Sequence, residues 1–100
     1  MNNQVRPSVL RMAIDHYGEQ HQKLKTIEEL GELQTELARE QDNRTTPKKV
    51  ITEIADVMLM IEQLVLIYGL DAVKAEFERK KNRLYRKILK EQEQKRNGNG

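Results

Sequence analysis

The residues of this 100-residue chain best suited to chemistry are two groups of carboxylates. The first is Glu28-Glu29-Leu30-Gly31-Glu32, with Glu36 one turn further on; the second is Glu53-Ile54-Ala55-Asp56. Residues three or four apart share one face of a helix. Glu29, Glu32 and Glu36 therefore make one acidic row, and Glu53 and Asp56 make another. Glu-rich helix surfaces are commonly just solvated, and Glu28, Glu29 and Glu32 alone would read that way. Asp56 is harder to place so. Asp is a poor helix former away from a cap, yet this one stands inside the most apolar segment of the chain. Like charges at this spacing repel, and buried carboxylates are costly unless paired or bound to a cation. If the two helices pack antiparallel, the rows face each other. Four or five carboxylate donors with no His or Cys among them suit a hard cation, Mg²⁺ or Mn²⁺ in its place.

The remaining composition narrows the chemistry further. There is no Cys, which excludes disulfides, thiolate metal sites and a Cys nucleophile. His16 and His21 are the only imidazoles, and neither sits in the Glu-x-x-His pattern of di-iron bundles. They read as surface or core-edge residues. Hydrophobic residues are 37% and charged residues 34% of the chain, so a single small domain with a thin core is expected. The net charge of +2 hides an asymmetry. Residues 19–62 hold ten acids and six bases, whereas residues 74–96 hold ten bases and four acids. An acidic middle and a basic end can pair with each other or divide the work on one ligand. No apolar run follows a basic start. The richest apolar stretch, Ile54 to Tyr68, is interrupted by Asp56, Glu62 and Gln63 and is too short to span a bilayer. A soluble, cytoplasmic protein is the expectation.

Four helices must position the carboxylates, giving an all-α fold. The first is expected over Ser8–Tyr17, with Val9, Met12 and Ala13 on one side and Gly18 as its stop. The second should run from Glu19 to Gln41, with an apolar stripe of Leu24, Ile27, Leu30, Leu33 and Leu37. Thr46 followed by Pro47 starts the third, which runs to a C-terminal Gly69. Asp71 should cap the fourth, which carries Val73, Phe77, Leu84 and Ile88. The domain is expected over residues 1–96, with 97–100 a disordered tail. From Ile54 to Tyr68, 12 of 15 residues are apolar and surround the helix axis. Such a helix must be buried on all sides, so a second subunit is expected, in a homodimer or homotetramer. Met58 and Met60 belong to this buried helix, and Tyr17 and Tyr85 read as packing residues.

The acidic motifs in this order and spacing resemble the EExxE…ExxD signature of the MazG-like nucleoside triphosphate pyrophosphohydrolases. The first half is Ile27-Glu28-Glu29-Leu30-Gly31-Glu32-Leu33. Twenty residues separate Glu32 from Glu53, which opens Glu53-Ile54-Ala55-Asp56-Val57. Upstream, Gly18-Glu19-Gln20-His21-Gln22 resembles the Gly/Gln segment that precedes the first motif. Downstream, Lys81-Asn82-Arg83-Leu84-Tyr85-Arg86 resembles the family's ending, so the likeness covers residues 8–88. It implies a four-helix MazG-type fold, dimeric or a dimer of dimers, that hydrolyses NTPs or dNTPs to the monophosphate and pyrophosphate. Carried over residue by residue, Glu29, Glu32, Glu53 and Asp56 match the Mg²⁺ ligands. Glu28 matches the extra acid, a second-metal ligand or water-orienting base and hence the catalytic candidate.

A triphosphate cannot approach bare carboxylates, and a divalent cation bridges the two. The resemblance implies substrate binding by Gln22, and the basic last helix is expected to supply Lys81 and Arg86 as phosphate partners, with Lys80 and Arg83 nearby, and Asn82 as a donor to phosphate or sugar. Membrane and nucleic acid are not expected partners. Two other readings compete: a non-catalytic helical module whose basic last helix binds nucleic acid, and a dimerising antitoxin-like protein. The first accounts for the Lys/Arg run and the second for the apolar third helix. Neither accounts for Glu53 and Asp56 within that helix.

Overall fold

The computed structural model of the chain describes residues 8–98, and they form four α-helices with no strand among them. Helix α1 spans Val9–Tyr17; the Oγ of Ser8 accepts a hydrogen bond from the Arg11 N–H at 3.2 Å. It ends at Gly18, whose φ of +90° lies in the region that L side chains avoid. The Gly18 N–H closes α1 on the Ile14 carbonyl at 2.8 Å, and its own carbonyl accepts from Gln22 N–H at 3.1 Å. One glycine thus ends α1 and opens α2, Glu19–Gln41. A short link through Asn43, at φ +59°, leads to α3, Pro47–Tyr68. Thr46 caps α3 as expected: its Oγ1 accepts from the Lys49 N–H at 3.3 Å.

The chain divides into two compact units, the first ending at Ile67 and the second beginning at Tyr68. Within the first, α2 and α3 pack antiparallel. Gln22 bonds Gln63, Glu29 meets Glu53 and Asp56, and Glu36 bonds Thr45, a run of partners that descends along α3 and into the link before it as α2 ascends. Among the described residues the buried apolar side chains are few: Ile14, Val50, Val57 and Met60.

The inward face of α2 differs from the one its apolar periodicity predicts. Gln22, Thr26, Glu29 and Glu36 are buried, while Leu24, Ile27, Leu30 and Leu37 are exposed. Positions 22, 26, 29 and 36 are spaced by three, four and seven residues, so they form a continuous side of one helix. That side is polar and is matched by polar partners. The Nε2 of Gln22 donates to Gln63 Oε1 at 2.8 Å, and Thr26 Oγ1 donates to the Gln22 carbonyl at 2.7 Å. Gln63 Nε2 in turn donates to the Leu59 carbonyl at 3.1 Å and approaches the Met60 Sδ at 3.7 Å. Two buried primary amides are affordable only because each is partnered.

Helix α3 likewise buries only part of its apolar surface. Val50, Val57, Met60 and Gln63 are buried, whereas Ile51, Ile54, Met58, Leu59 and Ile61 are exposed.

The second unit carries α4, Leu70–Gly98. Gly69, at φ +111°, is the single residue between α3 and α4, and its carbonyl accepts from the Val73 N–H at 3.1 Å. Asp71 therefore lies in the first turn of α4 rather than at the N-cap. There its charge still favours the positive end of the helix dipole. The helix extends through Asn97 and Gly98, two residues into the expected tail; Asn99 and Gly100 lie outside the described residues. Neighbouring turns of α4 are tied by exposed ion pairs, Glu76 with Arg79 and Lys80, Lys81 with Glu78, and Lys87 with Glu91. No helix among the described residues is long and apolar enough to cross a membrane.

Candidate metal centre

Three of the four acids expected to bind a cation meet between α2 and α3. One carboxylate oxygen each from Glu29, Glu53 and Asp56 lies within 4.8 Å of the other two. The spacing follows from the helices. Glu53 and Asp56 are one turn apart on α3, and Glu29 reaches them from the inward face of α2. Glu29 is 9% exposed, while Glu53 and Asp56 are half-buried.

Two of these oxygens are unsatisfied. Glu29 Oε2 and Glu53 Oε2 are buried and have no hydrogen-bond partner. A buried charged acceptor without a partner costs on the order of 1–3 kcal/mol or more, and two of them side by side also repel. The protein supplies one cation in partial answer. Lys25 Nζ lies 3.4 Å from Glu29 Oε1 and 3.5 Å from Glu28 Oε1. The hydrogen bond it donates to Glu29 and the charge of Glu28 hold the Lys25 ammonium more firmly protonated than usual. That contact uses the Glu29 oxygen opposite the unsatisfied one. The all-oxygen donor set and its two unsatisfied oxygens could hold a hard metal ion.

Glu32 stands at the rim. It is exposed, and its carboxyl is pushed above the ordinary glutamate range, first by the charge of Glu29 and further by Glu53 and Glu28. It thus shares the electrostatic field of Glu29 and Glu53. Glu28 is exposed and paired with Lys25. Both line an open groove of about 570 Å³, together with Gly31, Arg39, Lys49 and Glu53.

Glu36 leaves the acidic row. It is buried, with Oε2 accepting from Thr45 Oγ1 at 2.7 Å and Oε1 from the Arg39 guanidinium at 3.1 Å. Both its oxygens are satisfied, and it fastens the link between α2 and α3. Of the residues expected to touch substrate, Gln22 is buried against Gln63, its Oε1 lying 2.7 Å from His21 Nδ1. The His21 ring stacks on Tyr17 at 5.1 Å between centroids. Lys81, Asn82 and Arg86 are exposed on α4. Lys81 pairs with Glu78 at 2.6 Å and lies 4.8 Å above the Phe77 ring.

Lys25, Arg39 and Lys49 are absent from the set that the sequence suggested. Lys25 was legible in principle, since it precedes Glu28 and Glu29 by three and four residues. Lys49 and Arg39 reach the groove only through the antiparallel pairing of the helices, which no local spacing encodes. Comparison of the chain with protein-family models, with curated proteins and with solved structures gives no match.

Proposed function

We propose that this protein is a MazG-like nucleoside triphosphate pyrophosphohydrolase, cleaving NTPs or dNTPs to the monophosphate and pyrophosphate in a Mg²⁺-dependent reaction. The observation that carries this reading is the meeting of Glu29, Glu53 and Asp56 with two buried oxygens left unpartnered. A purely structural acidic cluster would be expected to satisfy those oxygens, as Glu36 does. Bound to these acids, Mg²⁺ supplies charge neutralisation for the phosphates and polarises them toward attack by water.

The chain's own residues do the rest. Glu29, Glu53 and Asp56 hold the cation from inside, and Glu32 completes the set from the rim. Glu28, exposed at the same groove, is placed to orient the attacking water and accept its proton. Lys25 tempers the charge of Glu28 and Glu29, so that the site is not wholly anionic before substrate arrives. The reading is tested by measuring pyrophosphate release from a panel of NTPs and dNTPs with and without Mg²⁺. Release that needs the metal supports it; a panel with no turnover at millimolar Mg²⁺ overturns it.

Self-association belongs to the same proposal. The acidic seam occupies the inside of the α2–α3 pair, and the leucines of α2 and isoleucines of α3 are left on the outside. Exposed apolar surface of this extent marks an interaction face, and a second copy of this chain suits it, as a homodimer or homotetramer. Light scattering should give a mass at least twice 11.8 kDa at micromolar concentration. A stable, well-folded monomer would remove this part of the proposal.

A further inference from the structure

Helix α4 buries none of its residues, yet it is strongly sided. Leu70, Val73, Phe77, Leu84 and Ile88 are all exposed. At about 100° per residue, these five fall within about 60° of one another around the helix and run for about 27 Å along it. Tyr85 lies beside this stripe and Leu89 off it. Apolar side chains in line over such a length differ from the single ones scattered over an ordinary surface.

The charges of α4 are sorted around the stripe. Lys80 and Lys87 border one edge and Lys74 and Lys81 the other, each within about 40° of it. Arg79, Arg83 and Arg86 lie on the far side. Asp71, Glu76 and Glu78 stand about 90° or more from the middle of the stripe, which ends where Glu91 enters it. Residues 70–90 hold eight bases and three acids, so ion pairing within the helix leaves a large positive excess. Lys81 Nζ lies 4.8 Å from the centre of the Phe77 ring, its stem laid beside the apolar row. We propose that α4 lies along an anionic lipid surface, with the stripe sunk to the acyl boundary and the four lysines at the headgroups. No helix among the described residues can cross a bilayer; a helix lying in the plane of the interface needs only this sidedness. The inference is independent of the hydrolase reading.

Two features favour lipid over a protein partner. Protein interfaces are enriched in Arg and depleted in Lys, since a guanidinium grips a carboxylate with two parallel hydrogen bonds. Here every base bordering the stripe is Lys and the arginines face away. A lysine stem instead follows apolar surface and carries its charge up to the headgroups. The second feature is the single sign of both borders. Paired helices commonly edge their seam with acids and bases that meet across it. The midpoint of the stripe falls between Lys80 and Lys81, so two α4 helices laid face to face in register, parallel or antiparallel, would set lysine against lysine.

The test is sedimentation of the full chain with vesicles of phosphatidylcholine, alone or mixed with phosphatidylserine. The protein should bind the mixed vesicles only, and less as salt is added. Each base close to an anionic surface contributes about fivefold, so changing Lys74, Lys80, Lys81 and Lys87 together to Gln should weaken binding at least about 100-fold. Changing Arg79, Arg83 and Arg86 together to Gln should cost less than about tenfold, because they lie across the helix, about a Debye length from the surface. Phe77→Gln with Leu84→Gln should weaken binding at least about tenfold and leave the mass by light scattering unchanged. Every residue changed is exposed, so the fold should persist in each variant. Failure to bind the mixed vesicles, equal binding to both kinds, or equal losses from the lysine and arginine sets would overturn the proposal. A lower mass for the Phe77→Gln, Leu84→Gln protein would overturn it in favour of a second copy on this face. Tighter binding to duplex DNA than to the mixed vesicles would overturn it in favour of nucleic acid. None of these arms measures turnover, so failure here leaves the hydrolase reading where it stands.

Discussion

Asp56→Ala and Glu53→Ala should each lower Mg²⁺-dependent pyrophosphate release by at least about 100-fold, since even residues that only support metal ligands cost 10–100-fold when removed. Glu29→Ala and Glu32→Ala should fall in the same range. The four acids hold one charge-dense ligand in common, so their losses should not multiply. A double variant should be little slower than the worse of its two singles, as is usual for groups that act as a unit. Glu40→Gln, on α2 but outside the groove, should stay within a few-fold of the parent. Lys81→Ala should chiefly raise KM if Lys81 binds the phosphate chain alone. Each variant is assayed at saturating Mg²⁺, with circular dichroism confirming the fold. Near-normal turnover by Asp56→Ala or Glu53→Ala would sink the assignment, because those two residues sit at the meeting point of the cluster.

Mg²⁺ should also stabilise the protein itself. A ligand that binds only the folded state contributes RT ln(1 + [L]/Kd), about 2.7 kcal/mol at a hundred times Kd. In a domain of this size each kcal/mol shifts the melting temperature by roughly 4–8 °C, so an increase of roughly 10–20 °C is expected. Asp56→Asn should lose most of that increase. Its metal-free form should melt no lower than the metal-free parent and should gain from weaker repulsion beside Glu29 and Glu53. Opposite signs in the two conditions separate a ligand site from a structural cluster, in which the same change would destabilise throughout. Equal melting temperatures for the parent with and without millimolar Mg²⁺ would show that the acids do not hold the metal.

The helix limits were largely legible because particular residues punctuate the chain. Gly18, the Thr46-Pro47 pair and Gly69 each interrupt helix geometry in a way that neighbours cannot undo. Asp71 was misplaced because Gly69 alone spans the junction and leaves no separate capping position. The carboxylate triad was legible from Asp56, whose setting in an apolar helix called for an unusual partner. The inward face of α2 was not. Periodicity identifies the stripe of Leu24, Ile27, Leu30 and Leu37, but not whether this chain or another molecule covers it. Here the hidden side is the polar one, because Glu29 and Gln22 find their partners across α3. The role of Glu36 was obscured for a related reason. Its spacing from Glu32 assigns it to the acidic row, while its true partner, Thr45, lies in the link beyond the helix.

The amide pair of Gln22 and Gln63 has a consequence for alignment. Glu29 follows Gln22 by seven residues on α2, and Asp56 precedes Gln63 by seven on α3. Equal steps of two turns, about 10.5 Å, run in opposite directions from a single buried hydrogen bond to the carboxylate cluster. If α2 slid by one turn along α3, both amides would be stranded in the interior, at roughly 1–3 kcal/mol each, and Glu29 would part from Asp56. The pair also has polarity. Gln63 Nε2 is committed to its own helix, so its Oε1 accepts from Gln22 Nε2, and the Gln22 oxygen lies 2.7 Å from His21 Nδ1. The amides thus serve as a gauge block between the helices, setting their offset at one station so that the acids coincide at the next.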